Sequence, residues 1–360
     1  LRTRRQRQMC IRDSIRSLIF KLDPETAHNL AIKSLKFNFV PNFTDEYKDD
    51  PLFKTKLFNQ DIENPIGMAA GFDKNAEVYN SLFKLGFGFV EAGTITPLKQ
   101  YGNPKPRVFR LVEDEALINR LGFNNFGAKN IVKRVKSNKQ IGLLGINIGP
   151  NKDTKDRTSD YIECLKIFNE IADYITINIS SPNTENLRNL HNQEKLNDLL
   201  KNIENEKKNL NSKIPIVVKV SPDIAEKDIN EISEVLLSNN IEGIIVSNTS
   251  DSTRDDLINI QKHQRGGLSG KPIKKKSTML ISRFYKLLKG RIKIIGVGGV
   301  DSGESAYEKF LAGANYVQLY TGMVFRGPNI VSIIKKELRE LLLKDGVKNF
   351  SEIVGNKSLR

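Results

Sequence analysis

The sequence predicts an α/β chain whose strands close into a (β/α)8 barrel, with a small N-terminal helical extension. Three observations predict it. From about residue 51 onward, short β-branched runs alternate with amphipathic helical patterns, the signature of successive βαβ units. Several runs are apolar over most of their length, as strands buried on both faces must be. There are eight such runs, each followed by a helix pattern or a long loop, which suits a closed barrel better than an open doubly wound sheet.

In order, the strands are PIGMAAG (65–71), FVEAGT (89–94), LLGINIG (143–149), YITINIS (174–180), PIVVKVS (215–221), GIIVSNT (243–249), KIIGVGG (293–299) and YVQLYTG (316–322). Helix patterns between them include NAEVYNSLFKLG (75–86), DYIECLKIFNEIA (160–172), DINEISEVLLSNN (228–240) and SAYEKFLAGA (305–314). The organisation expected is a tail over 1–10, a helical pair over 11–50, the barrel over 51–340 and a C-terminal tail over 341–360.

Within the pair, IRDSIRSLIFKL and PETAHNLAIKSLKFNFV have helical apolar spacing, joined at Asp23–Pro24, where Pro24 suits a first helical position. Two short helices cannot bury themselves. Their apolar residues with flanking Lys and Arg fit a membrane surface, and a hydrophobic cap on the barrel fits equally well on composition alone.

The 360 residues are 39% hydrophobic, enough for one large domain with a small appendage. No run of apolar residues is long enough to span a bilayer, and IRSLIFKL is too short and too charged for a signal-peptide core. Cys10 and Cys164 make neither a disulfide framework nor a zinc site, and His28, His191 and His263 are too scattered for a metal motif, so no metal is expected. Net charge is +15. Much of the excess comes from Arg2, Arg4, Arg5, Arg7, Arg12 and Arg16, which face only Asp13. Such a block suggests an anionic membrane surface or nucleic acid, or else a solvated tail. Residues 1–10 start without Met and have no apolar period, so they are treated as foreign to the fold.

Polar residues gather at the C-terminal ends of the strands: Asp73–Lys74, Thr94, Asn147, Asn178–Ser181, Lys219, Ser247–Thr249 and Gly298–Gly299. That rim is where (β/α)8 enzymes assemble their active sites. Turn chemistry explains the glycines and some serines, but not lysines and paired asparagines at successive strand ends.

GVGGV (296–300), YTG (320–322) and GGLSG (266–270) lie in neighbouring loops and precede helix patterns. Their backbone N–H groups could cradle a phosphate at the usual phosphate site of this barrel. No G-x-G-x-x-G follows a first strand, so a mononucleotide such as FMN fits better than a dinucleotide. A flavin needs a positive charge near its N1–C2 edge, and Lys219, alone in an apolar strand and opposite in facing to Val218 and Val220, suits that role. NISSPN (178–183) offers two amides and two hydroxyls for a small polar substrate, with Thr184 near enough to help a serine lose its proton. NRLGFNN (119–125), Asn248, Thr249 and Lys74 complete a set suited to a small, flat, anionic ring.

These residues resemble the dihydroorotate dehydrogenases, specifically the quinone-linked class 2, over nearly all of residues 14–335. The resemblance rests on LDPETAHNLA, NPIGMAAGFDKNAE, EAGTITP, GNPKPRVFRL, INRLGFNN, LGINIGPNKDT, NISSPNT, VVKVSPD, SNT, GGLSGKP, IIGVGGVDS and VQLYTG, in this order. It implies a TIM barrel that oxidises (S)-dihydroorotate to orotate in UMP biosynthesis. FMN would be the redox cofactor and a membrane quinone the acceptor. It places FMN on Ala70, Gly71, Phe72, Asp73, Lys74, Thr94, Asn147, Asn178, Lys219, Ser247, Gly270, Gly299, Tyr320 and Thr321. It places dihydroorotate or orotate on Lys74, Asn119, Arg120, Leu121, Gly122, Phe123, Asn178, Asn183, Asn248 and Thr249. Ser181 would be the catalytic base, taking a proton from C5 while a hydride leaves C6. Ser247 stands where many relatives are expected to have threonine, and the hydroxyl is kept. His28, Arg110 and Tyr320 sit at positions similar to quinone contacts.

The soluble classes of the same family use a cysteine base on a flexible loop, whereas Cys164 falls within a helix pattern. The resemblance therefore favours the membrane for the helical pair, and implies a monomeric peripheral protein. Its place would be the cytoplasmic face of a bacterial inner membrane, or the mitochondrial inner membrane in a eukaryote. Nucleic acid is not expected as a partner. Three alternatives stay open: a soluble dihydroorotate dehydrogenase using fumarate or NAD, a dihydrouridine synthase acting on RNA, and a basic binding protein without catalysis.

Overall fold

The computed structural model describes residues 19–37, 50–184, 187–252 and 254–356. Eight parallel strands close a barrel in sequence order: Ile66–Met68, Phe89–Ile95, Leu143–Ile148, Tyr174–Asn178, Ile216–Val220, Gly243–Val246, Lys293–Val297 and Tyr316–Leu319. The last pairs with the first, Val317 against Ile66 and Leu319 against Met68. All eight expected strands are present. Helices between them bury their apolar faces on the outside of the sheet, as Tyr161, Leu165 and Phe168 do from Arg157–Phe168. Local signals start these helices where the pattern begins. Asp156, Asn192 and Ser302 accept backbone N–H bonds at the N-termini of Arg157–Phe168, Gln193–Asn209 and Gly303–Leu311.

The barrel interior is layered. At the N-terminal end, Phe89, Leu143, Tyr174, Val217, Ile245, Ile295 and Tyr316 form an apolar floor, with Leu57 and Ile62 of the hairpin Thr55–Leu57/Gln60–Ile62 packed against it. Above this floor the interior turns polar. Glu91 is fully buried and accepts from Asn147 Nδ2 (2.8 Å), Tyr174 Oη (3.0 Å), Thr176 Oγ1 (3.1 Å) and Gln318 Nε2 (3.1 Å).

Four sequence expectations need correction. The helix expected over 75–86 spans only Tyr79–Lys84, because both Asp73 carboxyl oxygens hold the N–H groups of Glu77 and Val78 and Ala76 has φ +50°. GGLSG is a strand rather than a loop: Gly267–Gly270 pairs antiparallel with Ala116–Asn119, which pairs with Val108–Leu111. This small sheet roofs the C-terminal end of the barrel. Its pairing joins residues about 150 apart in sequence, so local pattern gave no sign of it. The boundary at 340 falls inside the helix Ile330–Lys344. Beyond it, Phe350 and Ile353 are buried, the Phe350 ring 5.0 Å from Phe310, so this stretch is packed rather than a tail.

Of the expected helical pair, residues 11–18 of IRDSIRSLIFKL lie outside the described residues. The second helix is present as Pro24–Lys36, capped by Asp23, which accepts from Thr26 N–H at 2.8 Å. It buries Ala27 and Leu35 against the barrel and leaves Leu30 and Phe37 exposed. A buried ion pair anchors it. Arg107 reaches Glu25 through Nη2 (2.7 Å) and Nε (3.1 Å), and gives its Nη1 to the carbonyls of Tyr101 and Asn103. Burial acts to raise the Glu25 carboxyl, but the bonds and charge of Arg107, with Lys105 and Lys74, hold it below its usual value. The pair therefore stabilises docking at pH values above the unfolded glutamate pKa of about 4.3, and that contribution is lost as pH falls through the lower folded value. We expect Glu25→Gln to lower stability by about 3 kcal/mol at pH 7, because it leaves a buried guanidinium without its counter-charge. Limited proteolysis should then cut between residues 24 and 37 at pH 7, as it should in the unsubstituted chain only in acid; an unchanged pattern would refute the anchoring role.

Candidate active site

The C-terminal end of the barrel opens into a cleft of about 1130 Å³, counting the solvent at its mouth. Strand ends supply its floor and the antiparallel sheet one wall. Of the residues singled out in the sequence, Ala70, Gly71, Lys74, Thr94, Asn119, Leu121, Gly122, Phe123, Asn178, Ser181, Asn183, Lys219, Ser247, Asn248, Thr249, Gly270, Gly299, Tyr320 and Thr321 line it together.

A hydrogen-bonded chain of neutral groups fixes the floor. Thr94 Oγ1 donates to Asn147 Oδ1 (2.6 Å), and Asn178 Nδ2 donates to Thr94 Oγ1 (2.9 Å). Asn178 Oδ1 accepts from Ser180 N–H (3.2 Å) and Oγ (2.9 Å), and Asn248 Nδ2 donates to Ser180 Oγ (2.9 Å). Asn183 Nδ2 crosses to the Asn119 carbonyl at 3.1 Å, joining the strand-four loop to the antiparallel sheet. Ser181 is buried at the cleft wall, and its Oγ accepts the N–H of Asn183 at 3.2 Å. Among the described residues no bond joins it to Thr184, so the structure does not supply the expected relay.

Two lysines face this neutral ring. Lys219 projects into the cleft from the middle of its strand, with no hydrogen bond or ion pair among the described residues. Burial lowers its ammonium pKa, and the charge of Glu91 below opposes that shift. Lys74 donates to the Gly71 carbonyl at 2.7 Å, and burial draws it down to about 8. At the opposite end the wall is backbone. Gly270, Gly298 and Gly299 have φ of +98°, +110° and +71°. At Gly299 a Cβ would fall 2.5 Å from that of Lys274, so only glycine lets the turn lie against the helix Lys274–Leu288.

The family model described as dihydroorotate dehydrogenase matches residues 52–342. The chain belongs to the dihydroorotate dehydrogenase family. It is 46% identical over 342 residues to the dihydroorotate dehydrogenase (quinone) of Bartonella tribocorum, covering 94% of both chains. It is 42% identical to the mitochondrial dihydroorotate dehydrogenase (quinone) of Mus musculus, covering 93% of this chain and 87% of that one. Among solved structures, the DHODH of Eimeria tenella in complex with ferulenol superposes with a TM-score of 0.90 at 36% identity, covering 93% of this chain and 96% of that one.

Six of the singled-out residues stand outside the cleft. Phe72 and Asp73 are buried beside it, Phe72 edge-on to His28 and Tyr320, and Asp73 spent on the backbone of Glu77 and Val78. Asn147 lies beneath the floor, between Thr94 and Glu91. Arg120 turns away to Gln264, the Arg265 and Pro106 carbonyls and the face of Phe109, lining a neighbouring cleft. His28 approaches Tyr320 Oη at 3.4 Å from the N-terminal helix; burial and Lys74 bring its pKa to about 3, so it is neutral at pH 7. Arg110 covers the Phe20 ring and donates to the Phe20 carbonyl at 3.0 Å, and among the described residues its buried Nε has no partner.

Ser180, Ser269 and Gly298 had no individual role in the sequence reading. Ser269 and Gly298 line the cleft, and Ser180 ties its two sides together. All three lay in motifs already singled out, but a spacing cannot say which serine of a pair turns inward. We expect Ser180→Ala to cost about 1–3 kcal/mol by leaving Asn178 and Asn248 short of a partner. Chemical denaturation would measure it, and an unchanged midpoint would show that the chain of bonds does not depend on Ser180.

Proposed function

We propose that this chain oxidises dihydroorotate to orotate in pyrimidine biosynthesis, with FMN in the cleft and a membrane quinone as the electron acceptor. One observation carries the reading: a single cleft places a buried serine hydroxyl, a ring of neutral amides and an unpaired buried lysine beside glycine-built turns. A buried ammonium without a partner is costly unless an electron-rich ligand meets it, and Lys219 opens onto the space where one would lie. The residues present therefore fit the flavin. Lys219 would face the pyrimidine end of its ring, Thr94, Asn178 and Ser247 would hold the ring by hydrogen bonds, and Gly270, Gly299, Tyr320 and Thr321 would hold the phosphate. FMN, when bound, supplies the two-electron chemistry that takes hydride from substrate C6 and returns electrons to the quinone.

The chain's own part is to bind, orient and deprotonate. Lys74 meets the substrate carboxylate with its charge. Asn119, Asn178, Asn183, Asn248 and Thr249 match the ring amides and carbonyls. These groups are already tied to one another, so little reordering is needed when substrate arrives. Ser181 takes the C5 proton while its own hydroxyl proton leaves to solvent in the open cleft. Its Oγ accepts the Asn183 N–H, a bond that strengthens as negative charge develops on the oxygen. Cys164 cannot replace it: it is buried in the helix Arg157–Phe168, and burial raises its thiol pKa well above normal. We expect Ser181→Ala to retain bound flavin but to slow its bleaching by dihydroorotate by about two to four orders of magnitude. Near-normal anaerobic bleaching would remove Ser181 from the mechanism.

Quinone would reach the far side of the flavin through the N-terminal helix. His28 on that helix meets Phe72 and Tyr320 beneath it, and among the described residues the buried Nε of Arg110 is a donor without an acceptor. Exposed Leu30 and Phe37 give the helix an apolar surface for a peripheral membrane contact. No helix among the described residues is long and apolar enough to cross a membrane. Steady-state assays with quinone, fumarate and NAD as acceptors test the class, and preferential turnover with fumarate would overturn it. In the same assays His28→Ala should lower quinone-linked turnover about tenfold or more while sparing a soluble dye, as loss of a hydrogen bond at the acceptor site predicts.

A further inference from the structure

Lys309 is a fully buried lysine that the mechanism above does not use. It lies on the helix Gly303–Leu311 behind the seventh strand, its stem packed where a Cβ on Gly296 would sit 3.2 Å from its Cδ. Its Nζ donates to Ser277 Oγ at 3.0 Å and Thr278 Oγ1 at 3.2 Å, and it makes no ion pair among the described residues. The neighbouring carboxylate, Glu308, is engaged by Lys274 instead. Ser277 in turn donates to the carbonyl of Val297, the residue before the Gly298–Gly299 turn. The turn rests on the same helix, since a Cβ on Gly298 would meet Ile273 and Ser277 at 3.0 and 3.2 Å. Lys309 thus grips the helix start and, through Ser277, the strand end that together shape the glycine turn. The cations lining the cleft are Lys74 and Lys219, on the loop after strand one and within strand five, and neither is on the loops after strands six to eight.

We propose that Lys309 is a positioning residue of the phosphate subsite, holding the Gly298–Gly299 turn in place and supplying from behind it the positive charge that this end of the cleft lacks. The proposal rests on reading the cleft as a flavin mononucleotide site. Burial brings the Lys309 ammonium to about 7, Glu308 favouring its charge and Lys274 opposing it. A phosphate dianion close by draws the lysine into its charged form, so binding FMN takes up a proton at pH values above about 7.

The test compares FMN with riboflavin, which has the same ring and no phosphate, by titrating each into apoprotein and following flavin fluorescence. We expect Lys309→Met to weaken FMN by about tenfold or more while leaving riboflavin within about twofold. In the unsubstituted protein the preference for FMN should fall from pH 7 to pH 9, and in Lys309→Met it should be flat. Equal weakening of both flavins would overturn the proposal in favour of a packing role, and so would unchanged FMN affinity or an unchanged pH dependence. Should Lys309→Met fail to fold, Lys309→Gln keeps a donor without the charge and is read in the same way. If the unsubstituted protein itself shows no preference for FMN over riboflavin, the reading of the cleft fails, which is distinct from failure at Lys309 alone.

Discussion

A carboxyl group buried at the centre of the barrel is the constraint on which the rest depends. Glu91 has no access to water, and Asn147, Tyr174, Thr176 and Gln318 converge on it from three strands. Such a group is tolerable only if its oxygens are satisfied, so these four side chains are committed to it. That commitment separates the apolar floor from the cleft. It fixes Asn147, which orients Thr94, which orients Asn178, and so passes order upward to Ser180 and Asn248. It also places a negative charge beneath Lys219 that helps keep the ammonium protonated.

Above that layer the cleft divides by chemistry. One end is built from neutral amides and hydroxyls that hold one another, which suits a planar polar ring recognised by shape and hydrogen bonds. The other end is built from backbone, where glycine conformations permit close approach of N–H groups. The N-terminal helix closes a third side, where the Glu25–Arg107 pair anchors it and His28 is kept neutral among aromatic rings. A neutral, partly apolar region next to a polar one is what a reaction linking a water-soluble acid to a lipid-soluble acceptor requires.

Much of this was legible in the sequence because it is local. Eight short apolar runs at regular spacing have few arrangements available, and a lysine alone in one of them, such as Lys219, is costly unless it opens onto a cleft where a ligand can meet it. The strand-end motifs were legible for the same reason. Phe72, Asp73, Asn147 and Arg120, which the resemblance placed among the contacts, do not line the cleft, since one position along a strand or turn reverses the direction of a side chain. Ser180 and Ser181 show the same limit from the other side: one ties the floor together and the other faces the cleft.

The sequence by itself determined the barrel, the rim as the place of chemistry, and the types of group that gather there, since periodicity and turn residues act over a few positions. Only the tertiary structure decided which of those groups meet. The Gly267–Gly270 strand pairs with Ala116–Asn119, Glu25 finds Arg107, and Lys309 reaches Ser277 behind the glycine turn. Each of these is a contact between distant segments, and its partner is set by how the packed layers lie against one another, which no local pattern encodes.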